Sequence, residues 1–272
     1  MKAFLKYYLK DPLALLRSEL QLRFSKQTPV LVFTMAKVGS LSIYSSIKKQ
    51  TSIPCFHIHT LSLAESEEAK QVCLSQGILP DSRSPVPILL KKIITPKNPY
   101  KIISLFRDPV ERNISAFFDA FHYYVGVSAE KYEGNIESLI DCFHKKLPHD
   151  YATLWVQEKF ERDTGIDLYA EKFNTKEGHQ LYEYENCHVL LINSVIEDRL
   201  KRKLVAKFIG NSSFQLTNVN VTEKSNKSKL YKAFKDQIRF DKNYLDRLLQ
   251  TKYSRHFFSQ EEIENSYKKW LQ

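Results

Sequence analysis

The sequence predicts an α/β fold in which a central parallel sheet is flanked by helices, with a helix-rich C-terminal half. Three observations predict it. Two stretches, at 30–49 and 102–118, share one grammar, an apolar strand that runs through a short polar turn into an amphipathic helix. Two further apolar runs, Pro54 to Leu61 and Cys187 to Val195, have the length and composition of strands. From Ile136 onward the remaining pattern is mainly helical. Strands that alternate with helices pack as a parallel sheet covered by those helices.

The chain opens on MKAFLKYYLKDPLALLRSEL, which places Lys2, Lys6 and Lys10 on one helical stripe with Phe4, Leu5, Tyr8 and Leu9 elsewhere. It lacks the long uncharged core and cleavage site of a secretory signal. A basic helical segment over 1–27 is expected to dock on its own domain, and peripheral contact with an anionic membrane is the second expectation. Nowhere does the chain approach the roughly 20 apolar residues that span a bilayer. A cytoplasmic, at most membrane-peripheral, protein is expected.

In VLVFTMAKVGSLSIYSSIKK, Val30 to Thr34 is the strand, Met35 to Ser40 a tight loop, and Leu41 to Lys49 a helix with Ile43, Tyr44 and Ile47 inward. The cradle runs over Lys37, Val38, Gly39, Ser40, Leu41 and Ser42. Glycine lets the backbone approach a ligand, lysine brings a point charge, and serines at a helix start add hydroxyl donors; together these suit a phosphate. The pattern is not a Walker A loop, because the lysine precedes the only glycine. A magnesium-nucleotide hydrolase is therefore disfavoured.

The next strand candidate, PCFHIHTL, alternates so that His57 and His59 project from one face. Histidine titrates near neutral pH and can take a proton from a reacting hydroxyl, with His59 preferred because it lies nearer the strand's carboxyl end. A hydrogen-bonded structural pair is the competing expectation. Glu65, Glu67 and Glu68 are alternative bases placed on an exposed helix face.

The second unit, IISLFRDPVERNISAFF, puts Arg107 at the end of an apolar strand and starts a helix at Asp108, with Pro109 at its first position and Glu111 completing a capping box. Val110, Ile114, Phe117, Phe118 and Phe121 share one face, and Arg112, Ser115 and Asp119 the opposite one. Ligands of open α/β sheets bind at the carboxyl ends of strands, where helix N-termini present free N–H groups.

Lys37 to Ser42 and the R-D-P-x-x-R-x-x-S segment from Arg107 to Ser115 together resemble the sulfotransferase superfamily, most closely its carbohydrate branch and a bacterial group of capsular polysaccharide synthesis proteins. In many relatives a proline precedes the loop lysine and a threonine follows the glycine, where this chain has Ala36 and Ser40. The resemblance implies a P-loop-like three-layer sandwich and a donor, 3'-phosphoadenosine 5'-phosphosulfate (PAPS), released as adenosine 3',5'-bisphosphate. It implies that Lys37 to Ser42 hold the 5'-phosphosulfate, with Lys37 catalytic, and that Arg107 and Ser115 hold the 3'-phosphate. Relatives also bring a polar loop over the nucleotide, matched here by Asn218 to Lys229, with Lys224 its candidate residue. The acceptor would be a hydroxyl-bearing glycan or small molecule, with no nucleic acid and no metal. Competing readings are a nucleotide-dependent phosphotransferase that uses the first loop, and a non-catalytic basic module for anionic glycan or nucleic acid.

With 272 residues, 43% of them hydrophobic, the chain can bury one full core, and no linker or repeat divides it. One domain is expected, with donor-binding units over 28–125 and a mainly helical acceptor side over 126–272. The net charge of +10 favours anionic partners. Cys55, Cys73, Cys142 and Cys187 are widely spaced and expected to be reduced, and no zinc spacing is present. Tyr151, Trp155, Phe160, Tyr169, Phe173, Tyr182 and Tyr184 are expected to be core in preference to sugar-stacking surface. Asp241 to Gln272 is expected to form a helical pair anchored by Trp270.

Overall fold

The structure is a computed structural model that describes residues 7–8, 11–75, 80, 84–217 and 226–272. Five strands, β1 (Val30–Phe33), β2 (Cys55–Ile58), β3 (Tyr100–Phe106), β4 (His179–Glu183) and β5 (Cys187–Asn193), form one sheet in the order β2-β1-β3-β5-β4. β1 runs parallel to β2 and β3, and β3 parallel to β5, while β4 is antiparallel on the outer edge of β5. Every residue of β1 is buried, as are all but one of β3, because helices cover both faces of the parallel strands. That is why these strands are continuous apolar runs in the sequence.

After β1 the chain moves outward to β2 and then returns past β1 to form β3 on its other side. The strand order therefore reverses between β1 and β3. A crevice opens at such a switch point, outside the carboxyl ends of the two strands. Helix Ser40–Gln50 follows β1 and helix Pro109–Asp119 follows β3, so both helix N-termini face that crevice.

The helix after β3 starts as its sequence requires: the Asp108 carboxylate accepts a hydrogen bond from the Glu111 amide at 2.9 Å. The expected capping box is only half made, because the Glu111 side chain turns instead to Arg107, Lys235 and Lys269. Val110, Ile114, Phe117 and Phe118 are buried as expected, and Phe121 starts a short second helix, Phe121–Val125. Arg112 is buried where an exposed polar face was expected, because the β1 loop and Tyr151 cover that side of the helix.

Two other expectations need correction. β4 was not evident as a strand, because an edge strand faces water and here only Tyr182 is fully buried. The C-terminal region holds three helices where two were expected, Lys242–Leu249, Lys252–Phe257 and Gln260–Trp270, although Trp270 is the buried anchor foreseen. Trp155, Phe160, Phe173 and Tyr182 lie in the core, while Tyr151, Tyr169 and Tyr184 pack against it partly buried. The four cysteines are free thiols, Cys55 and Cys187 buried and the other two half-buried.

In the N-terminal region helix Asp11–Phe24 packs on the body of the domain through Leu22, and Lys2, Lys6, Lys10, Phe4, Leu5 and Leu9 lie outside the described residues. No described helix is long and apolar enough to cross a membrane.

Candidate functional site

The loop after β1 is set by two left-handed residues, Lys37 at φ 72° and Gly39 at φ 81°. For Gly39 this conformation carries no steric penalty, and a Cβ added there would meet nothing within 4 Å, so the loop's outer face is open. For Lys37 the same conformation is strained by about 1–2 kcal/mol and needs external support. Two arginines provide it. Arg112 Nε donates to the Ala36 carbonyl at 3.2 Å, and Arg107 Nη1 donates to the Lys37 carbonyl at 3.1 Å.

With these carbonyls tied to arginines, the loop amides are left over. Among the described residues no backbone carbonyl accepts from Val38 or Gly39. Helix Ser40–Gln50 begins immediately afterwards, and first-turn amides have no intrahelical acceptor. Two left-handed residues on either side of Val38, followed by a helix N-terminus, turn these amides to one side and suit them to an anion. Along this stretch Val38 is buried and Leu41 exposed, so each brings only its backbone, while Ser42 is half-buried one turn into the helix.

Both arginines are themselves held. The Tyr253 hydroxyl donates to the Arg107 carbonyl at 2.8 Å and accepts from the Arg107 amide at 3.2 Å, and Arg107 Nη2 donates to Glu111 at 3.3 Å. Arg112 lies over the Tyr151 ring at 4.3 Å, a cation–π contact in a buried setting. The two sequence motifs are thus bonded to each other through Arg107 and Arg112.

Lys37 Nζ pairs with Asp119 at 2.8 Å. Lys37, Ser115 and Asp119 line a cleft of about 190 Å³, closed on its other side by Lys227, Ser228 and Tyr231. Those last three come from helix Asn226–Gln237. Lys227 and Ser228 belong to the polar segment noted in the sequence, whereas Lys224 lies outside the described residues. A cation and a hydroxyl at the start of a helix were the available signal for the pair.

On the β2 side, His57 and His59 meet edge-on with ring centroids 4.8 Å apart. Thr34 Oγ1 donates to Ser40 Oγ at 3.1 Å, and Ser40 Oγ is hydrogen-bonded to His57 Nε2 at 2.8 Å. His59 Nδ1 lies 2.6 Å from the Thr34 carbonyl. A carbonyl can only accept, so these partners assign the proton to Nδ1 and leave Nε2 with its lone pair. The Trp155 indole N–H holds the His59 carbonyl at 3.4 Å.

Burial pushes His57 down to about 4, and the neighbouring His59 adds to the fall. His59 is lowered too, first by the protein packed around it and further by Arg112 and Lys37, with the Thr34 hydrogen bond and Asp119 opposing; one side of its ring stays open to solvent. Both rings are neutral at pH 7. They border a groove of about 770 Å³ whose walls include Leu15, Leu63, Glu65 and Val86. Glu65 is no base: burial would raise its pKa, but hydrogen bonds from Arg162 and Lys159 hold it down to about 2. Its place between those cations also corrects the expectation of a freely exposed face.

Residues 130–259 match a protein family described as "Putative capsular polysaccharide synthesis protein". The match spans a little under half of the chain and excludes both loop motifs, but it contains Tyr151, Trp155, Lys227, Tyr231 and Tyr253, which support or wall the site. No curated protein matches the chain, and no solved structure does.

Proposed function

We propose that this chain is a sulfotransferase of polysaccharide synthesis, which moves a sulfuryl group from PAPS to a hydroxyl of a carbohydrate acceptor. The observation that carries the reading is the Ala36–Ser40 loop, whose carbonyls are held by Arg107 and Arg112 so that its amides open at the β1/β3 switch point. Similarity over 130–259 to a capsular polysaccharide synthesis family supports the acceptor class.

The donor supplies the sulfuryl group, which leaves the 5'-phosphate oxygen as the acceptor oxygen bonds to sulfur. The loop amides and Lys37 would hold the phosphosulfate end, where negative charge accumulates on the leaving oxygen. Ser115, Lys227 and Ser228 would form a second set of donors suited to the 3'-phosphate, while Arg107, bonded to the Lys37 carbonyl and Glu111, would act by holding the loop. His59 Nε2 would take the proton released by the acceptor hydroxyl, and His57 would hold Ser40 in place. The groove beside the two histidines would admit the acceptor.

Calorimetric titration with adenosine 3',5'-bisphosphate, with adenosine 5'-monophosphate as control, tests the reading. Selective binding of the bisphosphate is expected. Equal or absent binding of both nucleotides, or magnesium-dependent turnover of ATP, would overturn it.

A further inference from the structure

Helix Asp11–Phe24 is apolar on two faces. Its inner side is fastened along its length: Gln21 Nε2 donates to the Ser52 carbonyl at 2.9 Å, Leu22 packs on the core, Leu15 lines the histidine groove, and Glu19 pairs with Lys92 at 3.4 Å. Leu13, Leu16, Leu20 and Phe24 follow one another at helical spacing on the opposite side. That stripe is exposed from end to end, with Leu13 at 67% and Phe24 at 72% of full exposure. A solvated helix of a globular domain ordinarily turns polar residues to that side.

The charges around the stripe are of one sign. Arg17 and Arg23 flank it, both exposed, Arg23 lies over the Phe24 ring at 5.6 Å, and exposed Lys26 follows the helix. The helix's glutamate, Glu19, is turned aside to Lys92. An apolar stripe rimmed by cations is complementary to a surface with an apolar interior and an anionic skin.

We infer that the outer face of helix Asp11–Phe24 docks on an anionic membrane surface, with Leu13, Leu16, Leu20 and Phe24 entering the headgroup boundary and Arg17 and Arg23 meeting lipid phosphates. The inference does not depend on the sulfuryl-transfer reading. Leu15, on the inner side of the same helix, lines the groove beside His57 and His59, so docking would hold that groove one helix away from the bilayer surface.

Cosedimentation of the full chain with vesicles tests this, using phosphatidylcholine alone and phosphatidylcholine with added phosphatidylglycerol. Pelleting with the anionic vesicles and little with the neutral ones is expected. Leu16→Asp with Leu20→Asp should lower the partition at least tenfold, and Arg17→Glu with Arg23→Glu should lower it by about fivefold per arginine. All four side chains are exposed, so both variants should keep the wild-type melting temperature, and the arginine pair alone decides the matter if the leucine pair does not fold. Failure of the wild type to pellet with anionic vesicles, equal pelleting with neutral ones, or unchanged pelleting of the variants would overturn the inference. So would a concentration-dependent dimer in sedimentation velocity that Leu16→Asp with Leu20→Asp dissolves, which would assign the stripe to a second copy of the chain.

Discussion

Lys37 and Ser115 line one cleft, yet the proposed chemistry asks different things of them. Lys37 would meet charge that develops as the donor bond breaks, so Lys37→Met should reduce kcat by about 10²–10³ while the Kd for adenosine 3',5'-bisphosphate moves only a few-fold. Ser115→Ala should do the opposite, weakening the bisphosphate and eroding its preference over the 5'-monophosphate with a smaller effect on kcat. Paired rate and calorimetric measurements on the two variants separate the roles. For His59 the working form is neutral, and its pKa lies below the usual histidine range. Activity should therefore hold as pH falls from about 8 to about 6.5 and decline only below that. His59→Asn should remove that acid limb along with most of the rate, which a pH profile of kcat/KM would record.

Among the elements, helix Pro109–Asp119 carries most of the organisation. Its N-terminal turn brings Arg107, Glu111 and Arg112 to the β1 loop, and its next turns bring Ser115 and Asp119 to the cleft. Glu111 ties this helix to two others through Lys235 at 3.0 Å and through Lys269. Burial raises its pKa, but the hydrogen bonds from Lys269 and Lys235 outweigh that and leave it below the usual carboxylate range. Glu111→Ala would strand two partly exposed cations, Arg107 and Lys235, and exposed Lys269, and should cost about 2 kcal/mol, less than a fully buried network would lose. Urea denaturation would measure it. A larger fall in bisphosphate affinity than in stability would show that Arg107 had also been set adrift.

For the molecule as a whole, five histidines bias stability toward neutral pH. His57, His59, His144, His149 and His256 are all lowered, chiefly by burial. The unfolded chain then binds protons at a pH where the folded one does not, so stability is present above the ordinary value of about 6.5 and is lost as pH falls toward the folded pKa, about 4 for His57. Glu65 and Glu111 extend the loss to lower pH, and Asp108, raised by burial, opposes it. The urea midpoint should drop steadily between pH 7 and pH 5. A flat profile over that interval would show that these histidines titrate alike in the folded and unfolded chain.

Local signals were strong where one segment decides its own structure. The buried strands showed as apolar runs because both their faces are covered, and the Asp108-Pro109 helix start showed because a cap is local chemistry. Lys37, Gly39, Ser40 and Arg107 stood out because each lies between the end of a strand and the start of a helix, whereas Ser115, inside helix Pro109–Asp119, stood out only through the resemblance. Edge strand β4 escaped notice because its pairing to β5 leaves most of it in water. Arg112 was misplaced because helical periodicity says which side of a helix a residue occupies and not what lies against that side. Long-range contacts made the rest: Tyr253 bracketing Arg107 across 146 residues, helix Asn226–Gln237 walling the cleft, and two arginines turning the Lys37 loop inside out. The sequence alone marked out the glycine loop after one apolar strand and the capped helix start after another as candidates for anion binding. That the second motif's arginines hold the carbonyls of the first motif's loop came from the tertiary structure alone, because hydrogen bonds between distant segments have no period to betray them.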